Sequence, residues 1–220
     1  MEPLKSCVLQ KTGAVAGLIG FAVTAAAVKT GIVQPIDNDC FLWSEQHWTH
    51  AAKKLLKDVD GIVSPAHLLV ASIVAALFIL GLSTVSKRAA TAADLRNRAA
   101  LLVFMAVCSY GANGVLKNLF QRPRPLPGAH FSFPSDHAMM AFACFVTLAV
   151  VIVPSVHARR FRLLIVLAAL LAAACIGLSR VYLGKHYLSD VLGGYFLGLL
   201  LLSLGSLAIA QFSKRRLAEK

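Results

Sequence analysis

Residues 162–190 read RLLIVLAALLAAACIGLSRVYLGKHYLSD. The first part, 162–180, is almost wholly apolar and long enough to cross a bilayer, which takes about 20 such residues. It then ends on Ser179-Arg180, with His186 and Asp190 close behind. Ionisable groups at the end of an apolar helix are costly unless paired or solvated, so they mark a polar site at the membrane boundary. Working outward, five further segments meet the same standard: about 12–33, 65–86, 99–117, 136–154 and 187–211. Apolar residues make up 58% of the 220-residue chain and charged residues 15%, against roughly 25% charged in an ordinary soluble domain. Six such helices leave no soluble layer to bury them. The chain is expected to be all-α: one domain over 1–220, a polytopic bundle of six transmembrane helices with no linker or internal repeat.

The first span follows Lys5 and Lys11 and contains Ala25-Ala26-Ala27, the outline of a cleavable signal peptide. It is long for one, and continues past Lys29, which can snorkel to the boundary, so a retained span is expected. Between the first two spans, residues 36–60 set Phe41, Leu42, Trp43, Trp48, Leu55 and Leu56 among charges at spacings near three and four. That pattern reads as an amphipathic helix along the interface, with a role in lipid access, or as a plain surface helix on an outer loop.

The net charge of +12 is dispersed among apolar spans, so the cations read as topology determinants and anion ligands, with no nucleic acid as partner. With the N-terminus inside and six spans, the short loops carry 13 Lys and Arg on the cytoplasmic side and 8 outside. Both termini are expected in the cytoplasm. Five scattered cysteines, with no C-x-x-C pair, indicate neither a disulfide framework nor a metal site.

In that topology three polar clusters meet at the outer boundary. Lys117 to Pro125 leaves the third span, Pro134-Ser135-Asp136-His137 enters the fourth, and Ser179-Arg180 leaves the fifth, followed by His186 and Asp190. Any one cation alone reads equally as a snorkelling side chain. Together, Lys117, Arg124 and Arg180 would repel one another unless they hold an anion, and arginine offers the planar fork that grips phosphate oxygens. His186 and Asp190 stand at i, i+4, where a helical carboxylate can hold one ring nitrogen protonated and leave the other bare as a nucleophile. His137, on another helix, can protonate a leaving oxygen. Ser135 suits an N-cap there, and the free N–H groups of that helix end favour a phosphate.

Lys117-x6-Arg124-Pro125, Pro134-Ser135-x-His137 and Ser179-Arg180-x5-His186-x3-Asp190 resemble the three-part signature of the type 2 phosphatidic acid phosphatase superfamily. The resemblance implies that His186 attacks phosphorus, Asp190 orients it, and His137 protonates the leaving group and later activates water. Lys117, Arg124, Ser135 and Arg180 would hold the phosphoryl oxygens, and no metal or other cofactor would be required. The signature usually has Gly before its first histidine; this chain has Asp136, grouped here with the phosphate-binding residues. The variant is similar to bacterial undecaprenyl-diphosphate phosphatases of the bacitracin-resistance type, although Asp136 also suits a first-turn helix acid that favours the dipole. The expected function is therefore a lipid phosphatase of the bacterial inner membrane, working at its outer face, with undecaprenyl diphosphate as favoured substrate. Phosphatidylglycerol phosphate, phosphatidic acid, lipid A phosphate, phosphotransfer between lipids, and lipid-phosphate transport are the alternatives. His130, in the loop between motifs, is a further candidate to touch a headgroup. The sequence sets no oligomeric state.

Overall fold

The computed structural model describes residues 2–126 and 131–218, so His130 lies outside the described residues. Eight helical segments follow in order: α1 (Glu2–Thr30), α2 (Gln34–His47), α3 (His50–Ile62), α4 (Pro65–Val85), α5 (Ala89–Phe120), α6 (Asp136–Ser155), α7 (Arg159–Tyr182) and α8 (Leu188–Ala218). Six of them, α1 and α4 to α8, are long and apolar enough to cross a membrane. Leu77, Phe78 and Leu171 are each more than 60% exposed, which in water would be an aggregation surface and in lipid is ordinary solvation. The chain is an integral membrane protein.

Close backbone approach holds the outermost helix. A Cβ at Gly17 of α1 would lie 2.6 Å from the Leu200 amide nitrogen and 2.9 Å from the Phe196 carbonyl of α8. Gly13 and Gly20 meet the same helix at Ser203 and the Phe196 ring. Small residues at this spacing let two helices touch in a medium that offers no hydrophobic drive between them. The core of the bundle gathers around α6: Met140, Ala141 and Cys144 pack with Leu68, Ala173 and Ile176. Its other face brings Ala143 against Leu101, Met105 and Leu202. A π-turn at Phe142–Val146 interrupts α6 as it crosses this core.

The differences from the sequence reading concern boundaries: α1 begins before position 12 and α8 continues past 211. The third span begins at Ala89, ten residues before position 99, because 89–98 contains neither Gly nor Pro and Arg98 pairs with Asp94 one turn back. Arg98 also donates to the Val151 carbonyl and Ser155 hydroxyl (2.7 and 2.8 Å), capping the far end of α6. The segment 36–60 forms parts of two helices instead of one. Trp48 turns extended, and Thr49 starts α3 as its N-cap, accepting from the Ala52 amide at 3.2 Å. No residue of α3 is buried, and Leu55 and Ile62 are exposed by 63% and 73%.

Candidate active site

Local backbone signals deliver each polar group. Lys117 lies in the last turn of α5, which closes on a left-handed Gln121 whose N–H donates to the Lys117 carbonyl (2.9 Å). Ser135 caps α6 and accepts from the Ala138 amide, placing Asp136 and His137 in the first turn. After Arg180, Gly184 takes a positive φ of 65°, which a glycine adopts without Cβ strain. That turn folds the chain back, so the amides of Lys185 and His186 both donate to the Arg180 carbonyl (2.9 and 3.2 Å).

The loop before α6 is held from three sides. Phe133 is fully buried between Phe21 of α1 and Phe120 of α5 and fills the space beside Gly193 of α8. Ser132 beside it donates its amide to the Arg122 carbonyl (2.8 Å) and turns its own carbonyl to His186 Nδ1 at 2.8 Å. With Nδ1 donating there, Nε2 is the ring nitrogen that faces the cluster. His186 is 1% exposed.

The sequence placed His186 and Asp190 on one helical face. His186 instead precedes α8, and Asp190 Oδ2 stands 3.6 Å from its Nδ1, beyond hydrogen-bond length. Asp190 is occupied elsewhere: Oδ2 accepts the Tyr187 amide (2.8 Å) as a helix cap, and Oδ1 accepts from Arg122 Nη1 (2.7 Å). Arg122 also bonds Ser189 (2.7 Å), Asp37 (2.8 Å) and Gln34 (3.0 Å), and stacks on Tyr187. Asp37 in turn receives the Ser189 amide at 3.0 Å. A buried Asp37–Arg122–Asp190 chain therefore ties α2 to the start of α8, beneath His186.

Asp136 projects into the cluster. Its Oδ2 pairs with Lys117 (2.8 Å), while Oδ1 lies 3.1 Å from His137 Nδ1 and 3.3 Å from His186 Nε2. Both imidazoles thus reach one oxygen atom. The repulsion that an added carboxylate would exert on an anion is offset here by Lys117, but the carboxylate takes the space between the two rings.

A second carboxylate comes from α3. Asp60 bonds Arg180 Nη1 through Oδ1 and Lys185 through Oδ2 (2.6 Å). His137 Nε2 is 2.8 Å from Asp60 Oδ1, without the alignment of a hydrogen bond. Burial alone would push the Asp60 carboxyl up, but the Lys185 hydrogen bond and the charges of Arg180, His137 and Lys185 outweigh it and hold it below the usual Asp value. Arg180 is 1% exposed. Arg124 is half-buried and close enough to Arg180 for their charges to interact. A cavity of about 560 Å³ opens beside the cluster, between the start of α4 and the C-terminal half of α5. Ser64, Tyr110, Asn113 and Gly114 line it, and Lys117 and Asp136 form its inner wall.

Four helix ends therefore bring two imidazoles, a serine cap and at least three cations to one partly dry point. Residues 98–214 match the PAP2 superfamily. The chain belongs to that superfamily. Over 95 residues it is 41% identical to Phosphatidylglycerophosphatase B of Bacillus subtilis (strain 168), covering 40% of this chain and 47% of that one. The aligned part is thus about half the length of that curated relative. The crystal structure of a transmembrane PAP2 type phosphatidylglycerolphosphate phosphatase from Bacillus subtilis is also similar, with a TM-score of 0.69 and 26% identity. That likeness covers 92% of this chain and 96% of the other. In this PAP2 protein the sequence motifs missed Asp60, Lys185, Ser132 and Asp37. Lys185 carried a signal, since it adjoins His186. Ser132 lies two residues before Pro134 but 54 from His186, and Asp60 and Asp37 lie far from every motif; all three become neighbours of the site only on folding.

Proposed function

We propose that the protein hydrolyses the phosphate of a membrane lipid through a phosphohistidine on His186. The observation that carries this is the pair of imidazoles converging on one oxygen, flanked by Lys117 and Arg180. A phosphoryl group in the place of the Asp136 carboxylate would meet His186 Nε2 on one side and His137 on the other. Nε2 attacks phosphorus, the bond to the leaving oxygen breaks, and His137 supplies the proton that oxygen needs. His137 then takes a proton from water, whose oxygen attacks phosphorus as the phosphorus–Nε2 bond breaks, releasing inorganic phosphate and free His186. Lys117, Arg124, Arg180 and the N–H groups behind Ser135 stabilise the spreading oxygen charge. The Ser132 carbonyl keeps the proton on Nδ1. Asp190 supports His186 less directly, by fixing the start of α8 and Arg122.

The cavity between α4 and α5 suits a lipid, because apolar residues such as Pro65, Ala66, Phe131 and Met140 line it beside Lys117. Phosphatidylglycerol phosphate is the favoured substrate, since both similar proteins carry that activity in their names. Undecaprenyl diphosphate is the second reading, favoured by Asp136 in the Pro-Ser-Asp-His run. The site is assigned to the outer face of a bacterial inner membrane, in keeping with the 13 to 8 distribution of Lys and Arg. The test is release of inorganic phosphate from a panel of monophosphate and diphosphate lipids, using wild type, His186→Ala and Asp136→Gly. Wild type should turn over the monophosphate lipid fastest and His186→Ala should be inactive. Full activity of His186→Ala refutes the mechanism. Asp136→Gly should change the ratio between lipid classes, and an unchanged ratio removes Asp136 from substrate choice. Phosphate transferred from labelled donor to a second lipid would mark a phosphotransferase instead, and lipid movement preserved in His186→Ala would revive transport.

A further inference from the structure

The outer helix α3 is fastened to the bundle in an unusual way. It buries no residue, and its apolar side chains Leu55, Val59 and Ile62 remain exposed by 37% or more. Packing therefore does little to seat it. At its start, the Thr49 amide donates to the Tyr182 hydroxyl (3.1 Å), which donates to the His47 carbonyl (3.2 Å). At its end, Asp60 is tied to Arg180, Lys185 and His137, while the Gly61 carbonyl accepts from His67 Nδ1 of α4 (2.8 Å) and Val63 packs on the core. Those are groups that a phosphoryl oxygen would engage. A carboxylate and a phosphate cannot both hold the same N–H donors of Arg180, and two anions at contact repel strongly in a site this dry.

We propose that Asp60 gates the phosphate site: its carboxylate and the substrate phosphoryl compete for Arg180 and Lys185, and displacement of Asp60 removes the ionic tie of α3 to Arg180 and Lys185, loosening the helix about its hinge with α4. This rests on the reading of His186 and His137 as the phosphoryl-transfer centre. Binding of an anion is then coupled to release of the outer helix, and part of the intrinsic phosphate affinity is spent on breaking the latch. The same event opens the outer side of the site next to His137, where a leaving group must depart. Asp60 acts through Arg180 and Lys185 and is a positioning residue. The same phosphoryl group must also displace the Asp136 carboxylate, but the ion pairs of Asp136 run to Lys117, His137 and His186 and do not hold α3.

The experiment uses the full chain in detergent micelles, with inorganic phosphate as a competitive inhibitor of lipid phosphate hydrolysis. Asp60→Asn should tighten inhibition by phosphate on the order of ten-fold, an ordinary size for coupling between two competing ligands. Asp60→Glu, which keeps the charge, should return the inhibition constant towards wild type. An unchanged or weaker inhibition constant in Asp60→Asn overturns the proposal, since a merely structural residue would not improve anion binding when removed. A second measurement needs no variant. Hydrogen exchange of residues 50–62 in the wild type should quicken on saturation with inorganic phosphate; unchanged or slowed exchange sinks the latch. Failure of wild type to release phosphate from any lipid refutes the functional reading instead, and the exchange measurement still decides the latch.

Discussion

Replacing Arg122 with Met tests the claim that a buried ion chain sets the position of α8. Methionine retains an unbranched stem that can lie on Tyr187, over which the guanidinium now stacks at 4.3 Å. What is lost is charge: Asp37 and Asp190, 2% and 0% exposed, would each lose a bond of 2.7–2.8 Å to a guanidinium that is itself 7% exposed. Breaking a buried pair from one side costs about 3–5 kcal/mol, because the partner is left as an unpaired charge. Here one deletion strands two carboxylates. The loss should therefore lie at the upper end of that range, and phosphatase activity should fall with it. Adding Asp37→Asn in the Arg122→Met background removes one stranded charge while still accepting from the Ser189 amide. The double variant should be more stable than Arg122→Met alone, although Asp37→Asn alone destabilises. Unfolding in mixed micelles under an SDS titration, followed by helical circular dichroism, measures all three. A double variant as unstable as the sum of the two singles refutes the reasoning, for it would mean that the charges act independently.

Three further expectations follow from other parts of the molecule. His137→Ala should slow the first-turnover release of an alkyl alcohol by about 10²–10⁴ while sparing the first-turnover burst of nitrophenol from a nitrophenyl phosphate, whose leaving group needs no proton; equal losses in both first turnovers would argue against a general acid. Gly17→Leu drives a side chain into the backbone of α8 at Leu200 and should cost about 1–3 kcal/mol, whereas Gly81→Ala, with open space around it, should be near neutral in the same unfolding assay. The Asp60 carboxyl is depressed in the folded protein, so its stabilising tie is complete above the ordinary Asp value near 3.8 and is lost as pH falls through the lower folded value. Exchange of residues 50–62 should therefore be insensitive to Asp60 between pH 5 and 8 after correction for intrinsic rates, and rise only in stronger acid. A rise centred near neutrality that disappears in Asp60→Asn would contradict the assigned direction.

Much of this protein is legible in one dimension because lipid imposes a local rule. Every backbone group in the bilayer must be satisfied within its own segment, so an apolar run of sufficient length becomes a helix whatever its neighbours do. Hydropathy alone thus determined the six spans, though not where each begins and ends, and the spacing of Lys117, Pro134 to His137 and Arg180 to Asp190 determined that polar groups meet at one boundary. The two-helix form of 34–62 was half legible, since Thr49 is a good cap but its neighbours carry enough apolar residues to suggest continuity. Tertiary structure alone decided which polar atoms touch. Ser132 reaches His186 across 54 residues, and Asp60 reaches Arg180 across 120. Neither pairing has a local periodicity, because each arises from where separate helices end after packing. The i, i+4 spacing of His186 and Asp190 shows the same division from the other side. Its residues were found by pattern, but the turn at Gly184 keeps His186 out of the helix, and a long-range competitor, Arg122, took the carboxylate.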